Sequence, residues 1–334
     1  MRLLMLGGTQ FVGRAVVEAA LARGWEVTVF HRGRSEAPEG VVSLLGDRTA
    51  EGGLAALAES DESWDFVVDT WSGAPRVVRE AARLLAGRAE RYVYVSSVSV
   101  YRYPGVAGSD EDFPLVEGDP DADSVAYAED KRGGELAAVA EFGAERTVLA
   151  RAGLILGPYE NVGRLPWWLN RVARGGPVLA PGPRELDLQY IDVRDLAEWA
   201  LDAASAGLHG PYNIISPVAH TTTEEFLTAC VSAAGAPDTE LRWTDPSVIA
   251  EHGIEPWSEL PVWLPPGELH DTMHRTSTEK AAAAGLRARP VAETVADTWA
   301  WLQSLGGVAP QRPDRGAKGL DPEREAKVVG ALGL

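Results

Sequence analysis

Residues 2–24 read RLLMLGGTQFVGRAVVEAALARG, and this stretch decides the fold. RLLML is a short, continuous apolar run, the signature of a strand buried on both faces. From residue 11, FVGRAVVEAALARG carries helical periodicity and stops at Gly24. Between them Gly7 and Gly13 stand six positions apart in a strand-to-helix turn. Gly7 permits the tight turn, and Gly13 lets the helix lie close to the sheet. The N–H groups from Thr9 through Gln10, Phe11 and Val12 then face a dinucleotide pyrophosphate. The spacing alone is weak; its place after a strand and before a helix gives it meaning. Gln10 occupies the middle position, where glycine often lets backbone approach phosphate, so the contact there is longer or uses the Gln10 amide.

The alternation continues outward. Apolar strands are expected at residues 26–30, 41–47, 64–70, 91–97 and 146–158, with helices at 54–60 and 75–88 between them. This is the order of an α/β fold, a Rossmann-type doubly wound parallel sheet. After residue 158 Pro and Trp become frequent, interrupted by a last βαβ-like portion at 188–215. The expected division is a cofactor domain of residues 1–158 and 186–216, and a smaller C-terminal substrate-binding lobe of 159–185 and 217–305. Residues 306–334, rich in Gly, Pro and charge, read as a mobile tail or a loosely docked extension.

Bulk properties exclude several function classes. The 334 residues carry a net charge of −18, which disfavours nucleic acid and anionic membrane as partners. No apolar run is long enough to span a bilayer, and the start does not read as a signal peptide. Cys230 is the single cysteine, so no intrachain disulfide forms and a cytoplasmic location fits. A small-molecule substrate is expected.

The second strand ends VFHRGRS. An acidic residue at that tip would bind an adenosine ribose and favour NAD. Here His31 stands there, followed by Arg32 and Arg34, and arginine suits a 2′-phosphate through charge and a bidentate fork. NADP, as NADPH, is therefore expected over NAD. Asp47 and Arg48 end the third strand and are placed beside the adenine.

YAEDK, residues 127–131, sets Tyr127 and Lys131 four apart at the start of a helix, on one face. With eight tyrosines and lysine only at 131, 280, 318 and 327, about 0.1 such pairs are expected by chance. An ammonium and a positive nicotinamide beside the phenol would stabilise its phenolate and ease proton transfer. The preceding strand RYVYVSSVSVY ends in hydroxyls at Ser96, Ser97 and Ser99, at the end of the sheet where open α/β folds bind ligands.

GGTQFVG (7–13), YVYVSSVSVY (92–101), YAEDKRGGE (127–135), RAGLILGP (151–158), LQYIDVRDLA (188–197) and YNIISP (212–217) occur in this order. As a set they resemble the extended short-chain dehydrogenase/reductase superfamily, the NAD-dependent epimerase/dehydratase group, over about residues 1–230. The resemblance implies Ser97, four residues before Tyr101, as the catalytic hydroxyl and Tyr127 as acid/base. It implies Lys131 as the group that binds the nicotinamide ribose and tunes Tyr127. It further implies cofactor contacts at Thr70, Trp71 and Ser72, and at Ala152 and Leu154. Homodimers in the family form through the helices after the fourth strand and around the Tyr–Lys helix. Two departures stand out. Leu188 occupies the position where sugar-nucleotide members often carry a diphosphate-gripping arginine, and His31–Arg32 replaces the NAD-type acid. Both favour a reductase using NADPH on a less charged substrate.

The expected activity is thus an NADP(H)-dependent oxidoreductase that moves hydride between nicotinamide and a carbonyl or carbinol carbon. Alternatives are a sugar-nucleotide epimerase or dehydratase that retains its cofactor, and a non-catalytic dinucleotide-sensing or RNA-associated protein. Trp71, Ser99, Tyr159, Trp167 and Trp257 are candidate substrate contacts, although Trp-rich segments most simply pack a core. His270 and His274 are four apart but lack a third ligand, so no metal is expected. Arginine dominance with abundant Ala and Gly is associated with GC-rich bacterial genomes, where such enzymes tailor secondary metabolites.

Overall fold

The computed structural model describes residues 1–331. The chain opens with β1 (Arg2–Leu6), α1 (Phe11–Ala22), β2 (Glu26–His31), β3 (Val42–Leu45), α2 (Ala55–Glu59), β4 (Trp64–Asp69), α3 (Pro75–Leu85) and β5 (Ala89–Ser97). A 3₁₀ turn at Val98–Val100 and a long connection lead to α4 (Tyr127–Phe142), then β6 (Thr147–Ala152) and the two-residue β7 (Ile155–Leu156). Next come α5 (Arg164–Ala173), β8 (Pro177–Pro181), β9 (Ile191–Asp192), α6 (Val193–Ser205) and β10 (Gly210–Ile214). The last part holds α7 (Thr223–Ala234), β11 (Glu240–Thr244), α8 (Pro246–Glu251), α9 (Glu268–His274), α10 (Glu279–Ala283), α11 (Val291–Ser304) and α12 (Pro322–Ala331).

Seven strands form one parallel sheet in the order β10-β6-β5-β4-β1-β2-β3. The alternation of side chains divides each apolar strand between two cores. Leu3 and Met5 of β1 pack with α1 and α6, while Leu4 and Leu6 pack with α3 and α4. Strand order reverses at β1, which has β2 on one side and β4 on the other, and this opens a crevice at the C-terminal strand ends. The glycine turn, the loop after β4 and the end of β5 all lie at that edge.

The expected strand at 146–158 is broken in two. A Cβ on Gly153 would lie 2.1 Å from Ile215 Cδ1, so only glycine fits where the chain leaves the sheet. Its second piece, β7, pairs with β9 outside the main sheet. β8 and β11 form a further parallel pair in the lobe, over a core that includes Trp168, Tyr190, Phe226 and Leu302.

The C-terminal segment docks more firmly than its composition suggests. Its α12 places Val328 and Val329 in the lobe core. Glu325, buried, accepts hydrogen bonds from the Arg171 guanidinium and from Leu179 N. Among the described residues no helix is long and apolar enough to cross a membrane.

Candidate active site

The glycine turn is built by sterics. Gly7 and Gly8 have φ of +116° and +97°, a region that side chains rarely enter. A Cβ on Gly8 would meet Val29 Cγ1 at 2.8 Å, and one on Gly13 would meet Gly8 N at 2.6 Å. Gly13 thus brings α1 onto the turn itself rather than only onto the sheet. Gly8 was missed by spacing arguments, although the Gly-Gly dipeptide marks it. The N-terminus of α1 has no side-chain cap and no acidic first turn, so its N–H groups face the crevice. Thr70, after β4, sits against Gly7: a Cβ there would be 3.0 Å from Thr70 Oγ1. The Gln10 amide spans the crevice rim, donating to Ser35 Oγ at 3.2 Å and accepting from Asn161 Nδ2 at 3.1 Å.

At the tip of β2, His31 is held below its ordinary pKa by burial, and its ring bonds Ser43 Oγ and Gly33 N. The positive charge there belongs to Arg32 and Arg34, both exposed. Arg34 lies 3.8 Å from Asp47, and Arg32 makes no ion pair among the described residues. Asp47 is held below the usual carboxylate range by the Thr49 hydroxyl and N–H, then by Arg32 and Arg34.

Arg48, expected beside the adenine, is buried. Its guanidinium turns inward and forms a bidentate pair with Asp69 at 2.7 and 2.8 Å, with a further bond to Val77 O. Burial raises the Asp69 carboxyl, but Arg48 and Tyr92 outweigh it and hold it ionised. Asp69 also accepts from Trp71 N, so this buried pair fixes the loop after β4.

Trp71 serves through its backbone. Its indole donates to Ala74 O and lies 5.3 Å from the Arg48 guanidinium. Its carbonyl accepts from Tyr94 Oη at 3.0 Å and from Lys131 Nζ at 2.6 Å. Lys131 donates a second 2.6 Å bond to Val95 O on β5. Helix α4 comes this close because of Gly133 and Gly134. A Cβ on the first would strike Pro75 Cγ at 2.5 Å, and one on the second would strike Tyr94 Oη at 2.3 Å. Burial pushes Lys131 down to about 7, with Arg312 and Arg315 adding to it and Asp69 and Glu135 opposing.

Ser97, at the end of β5, is buried and pairs with Ser99 Oγ at 3.1 Å. Tyr127, one turn before Lys131, is 40% exposed. The start of α4 is fixed by buried Asp130, which accepts from Val125 N and Ser124 Oγ. Ala152 and Leu154 are buried beyond β5, the latter in the lobe core; Ser72 is half-buried beside Trp71.

The remaining aromatic candidates are partly buried and make packing contacts. Tyr159 lies against Arg14 and Trp301, Trp167 against Trp168 and Gly319, and Trp257 against the lobe core near His274. His270 and His274 bond the backbone of Asp187 and Gln189. Among the described residues no cluster of three or more His, Cys, Asp or Glu is placed to hold a metal.

Residues 3–214, from β1 to the end of β10, match the model of the NAD dependent epimerase/dehydratase family. The chain belongs to this family. It is an enzyme of the extended short-chain dehydrogenase type that works with a nicotinamide dinucleotide. Over 257 residues it is 30% identical to the epimerase family protein SDR39U1 of Bos taurus, covering 71% of this chain and 82% of that protein. The Mus musculus protein of the same name is 28% identical over the same length. Solved structures share the fold. A UDP-glucose 4-epimerase from Thermus thermophilus, in complex with NAD, is 24% identical with a TM-score of 0.62, covering 90% of this chain and 99% of that one. A dTDP-glucose 4,6-dehydratase from Bacillus anthracis, also with NAD, is 15% identical with a TM-score of 0.64, covering 91% and 97%.

The family member's own residues fit a dinucleotide. The turn at Gly7 and Gly8 has no room for a Cβ against Thr70 and Val29, the α1 N-terminus has no side-chain cap, and Lys131, one helical turn after Tyr127, is held by Val95 O, two residues before Ser97 on β5.

Proposed function

We propose that this family member is an NADP(H)-dependent oxidoreductase acting on a carbonyl or carbinol of a small molecule. The observation that carries the cofactor choice is the pair Arg32 and Arg34, exposed at the tip of β2 where an NAD-type acid would stand. They would hold the 2′-phosphate, with Gly7, Gly8 and the N–H groups at the start of α1 against the pyrophosphate.

The bound nicotinamide supplies hydride exchange. The chain supplies the proton and the geometry. Tyr127 Oη gives a proton to the substrate oxygen, or takes it in the reverse direction. Ser97 Oγ positions that oxygen. Lys131 would bind the ribose hydroxyls by turning from its carbonyl acceptors, and in its protonated form would favour the Tyr127 phenolate.

A second reading, an epimerase or dehydratase that keeps its cofactor through a full cycle, is supported by the family description itself. Leu188 weighs against a sugar-nucleotide substrate, because its side chain is buried in the lobe core where an arginine would grip a diphosphate. Incubation of the full chain with NADPH and a carbonyl panel separates the two. Net NADPH consumption supports the oxidoreductase. Substrate conversion without net change in NADPH or NADP⁺ overturns it.

A further inference from the structure

Beyond the region that matches the family, the chain returns to Tyr127. Residues 306–321 connect α11 to α12 as a strap pinned at both ends. At one end Arg312 N donates to Asn161 O at 3.0 Å, and the Gln311 amide closes over Gly163. At the other, Gly319 N donates to Ser258 O at 2.8 Å, and Gly319 packs on Trp167 so closely that a Cβ would lie 1.7 Å from Nε1. Between these anchors the Arg315 guanidinium lies 5.3 Å from the centre of the Tyr127 ring.

Arg315 is one of several cations there. Arg164, the first residue of α5, is held below its ordinary pKa by burial and by Arg315. Lys318 is held down by burial, then by Arg164 and Arg315. The nearby carboxylates offset them only in part: Glu160 opposes the charge of Arg164, and Asp314 is shared between Arg312 and Arg315. Asp314 forms a bidentate pair with Arg312, at 3.0 and 2.6 Å, and stands 3.8 Å from Arg315. Glu160 accepts from Arg164 N and Leu165 N, capping α5. A chain of net charge −18 has carboxylates in plenty, yet Arg315, over the Tyr127 ring, has Arg164 and Lys318 as like-charged neighbours. Such unbalanced charge is relieved by an anion.

We propose that the strap completes the substrate site, and that Arg315 with Arg164 and Lys318 binds a carboxylate or phosphate group of the substrate beside Tyr127. This rests on the reading of Tyr127 as the residue that meets the substrate oxygen. It reverses the expectation of a less charged substrate. Leu188 removes one arginine from the lobe, and the strap supplies cations from a different part of the chain.

The test uses the full chain carrying Arg32→Ala, so that the cofactor's phosphate site does not compete. Inorganic phosphate and benzoate are titrated by calorimetry into this protein with and without Arg315→Ala, and into an Arg315→Lys version. At least one anion is expected to bind, with affinity falling about tenfold in Arg315→Ala and mostly restored in Arg315→Lys, at unchanged melting temperature. Absence of binding by both anions, or equal binding with and without Arg315, overturns the proposal. A second arm, in the wild-type background, follows NADPH consumption with 4-carboxybenzaldehyde and its methyl ester. A lower KM for the acid, lost in Arg315→Ala, supports both readings. Arg315-dependent anion binding without any NADPH consumption keeps the anion site and counts against the oxidoreductase. NADPH consumption with equal KM for acid and ester keeps the oxidoreductase and counts against the anion site.

Discussion

Lys131 ties the chemistry of the site to a measurable property of the fold. Burial lowers its folded-state pKa to about 7, from an ordinary 10.5. Between those values the unfolded chain binds the proton and the folded chain does not. Stability therefore rises with pH across this window, and below about pH 7 the full cost of a buried ammonium is present. From pH 6 to pH 9 the folded state passes about two pH units beyond its pKa while the unfolded state stays protonated. At about 1.36 kcal/mol per unit, wild type should gain about 3 kcal/mol relative to Lys131→Met. Urea unfolding of both proteins at pH 6, 7.5 and 9 measures this, because titrations elsewhere cancel in the difference. The two carbonyl acceptors, Trp71 O and Val95 O at 2.6 Å, act in the opposite sense by stabilising the charged form. A wild-type-minus-variant difference constant to within about 0.5 kcal/mol would show that they prevail and would refute a neutral Lys131 above pH 7.

Other consequences are direct. Tyr127→Phe should lower kcat by about 10²–10⁴-fold with an unchanged unfolding midpoint, since the phenol is exposed and serves as acid/base; near-normal turnover would remove it from the mechanism. Gly8→Ala forces a side chain into φ +97° and against Val29, so stability should fall by about 1–3 kcal/mol and dinucleotide affinity should drop, read by urea unfolding and fluorescence titration. Arg48→Met leaves Asp69 buried and unpaired, costing about 3–5 kcal/mol of stability. If Arg48 instead touched the adenine, the same change would weaken NADPH binding and leave the unfolding midpoint in place.

The sheet was legible because its strands are contiguous apolar runs separated by helices with clear stops, and the glycine turn marks which end of β1 carries the site. Tyr127 and Lys131 were legible because helical spacing fixes their shared face and lysine is rare. What escaped depends on contacts distant in sequence. Nothing in LLGDRT says that Arg48 turns inward; that depends on Asp69 on β4 and Tyr92 on β5. Gly153 reads as an ordinary loop glycine until Ile215 is placed beside it. Arg315 and Lys318 sit in a segment whose Gly, Pro and charge content signals a tail, and contacts distant in sequence, among them Arg312 N on Asn161 O, Gly319 on Trp167 and Glu325 on Arg171, bring Arg315 to Tyr127.

Cofactor discrimination tests the account most directly. NADPH and NADH are titrated into wild type and Arg32→Ala by quenching of intrinsic tryptophan fluorescence. Wild type should bind NADPH at least about tenfold more tightly than NADH, and Arg32→Ala should bring the two close together by weakening NADPH alone. Equal affinities in wild type, or tighter binding of NADH, would contradict this.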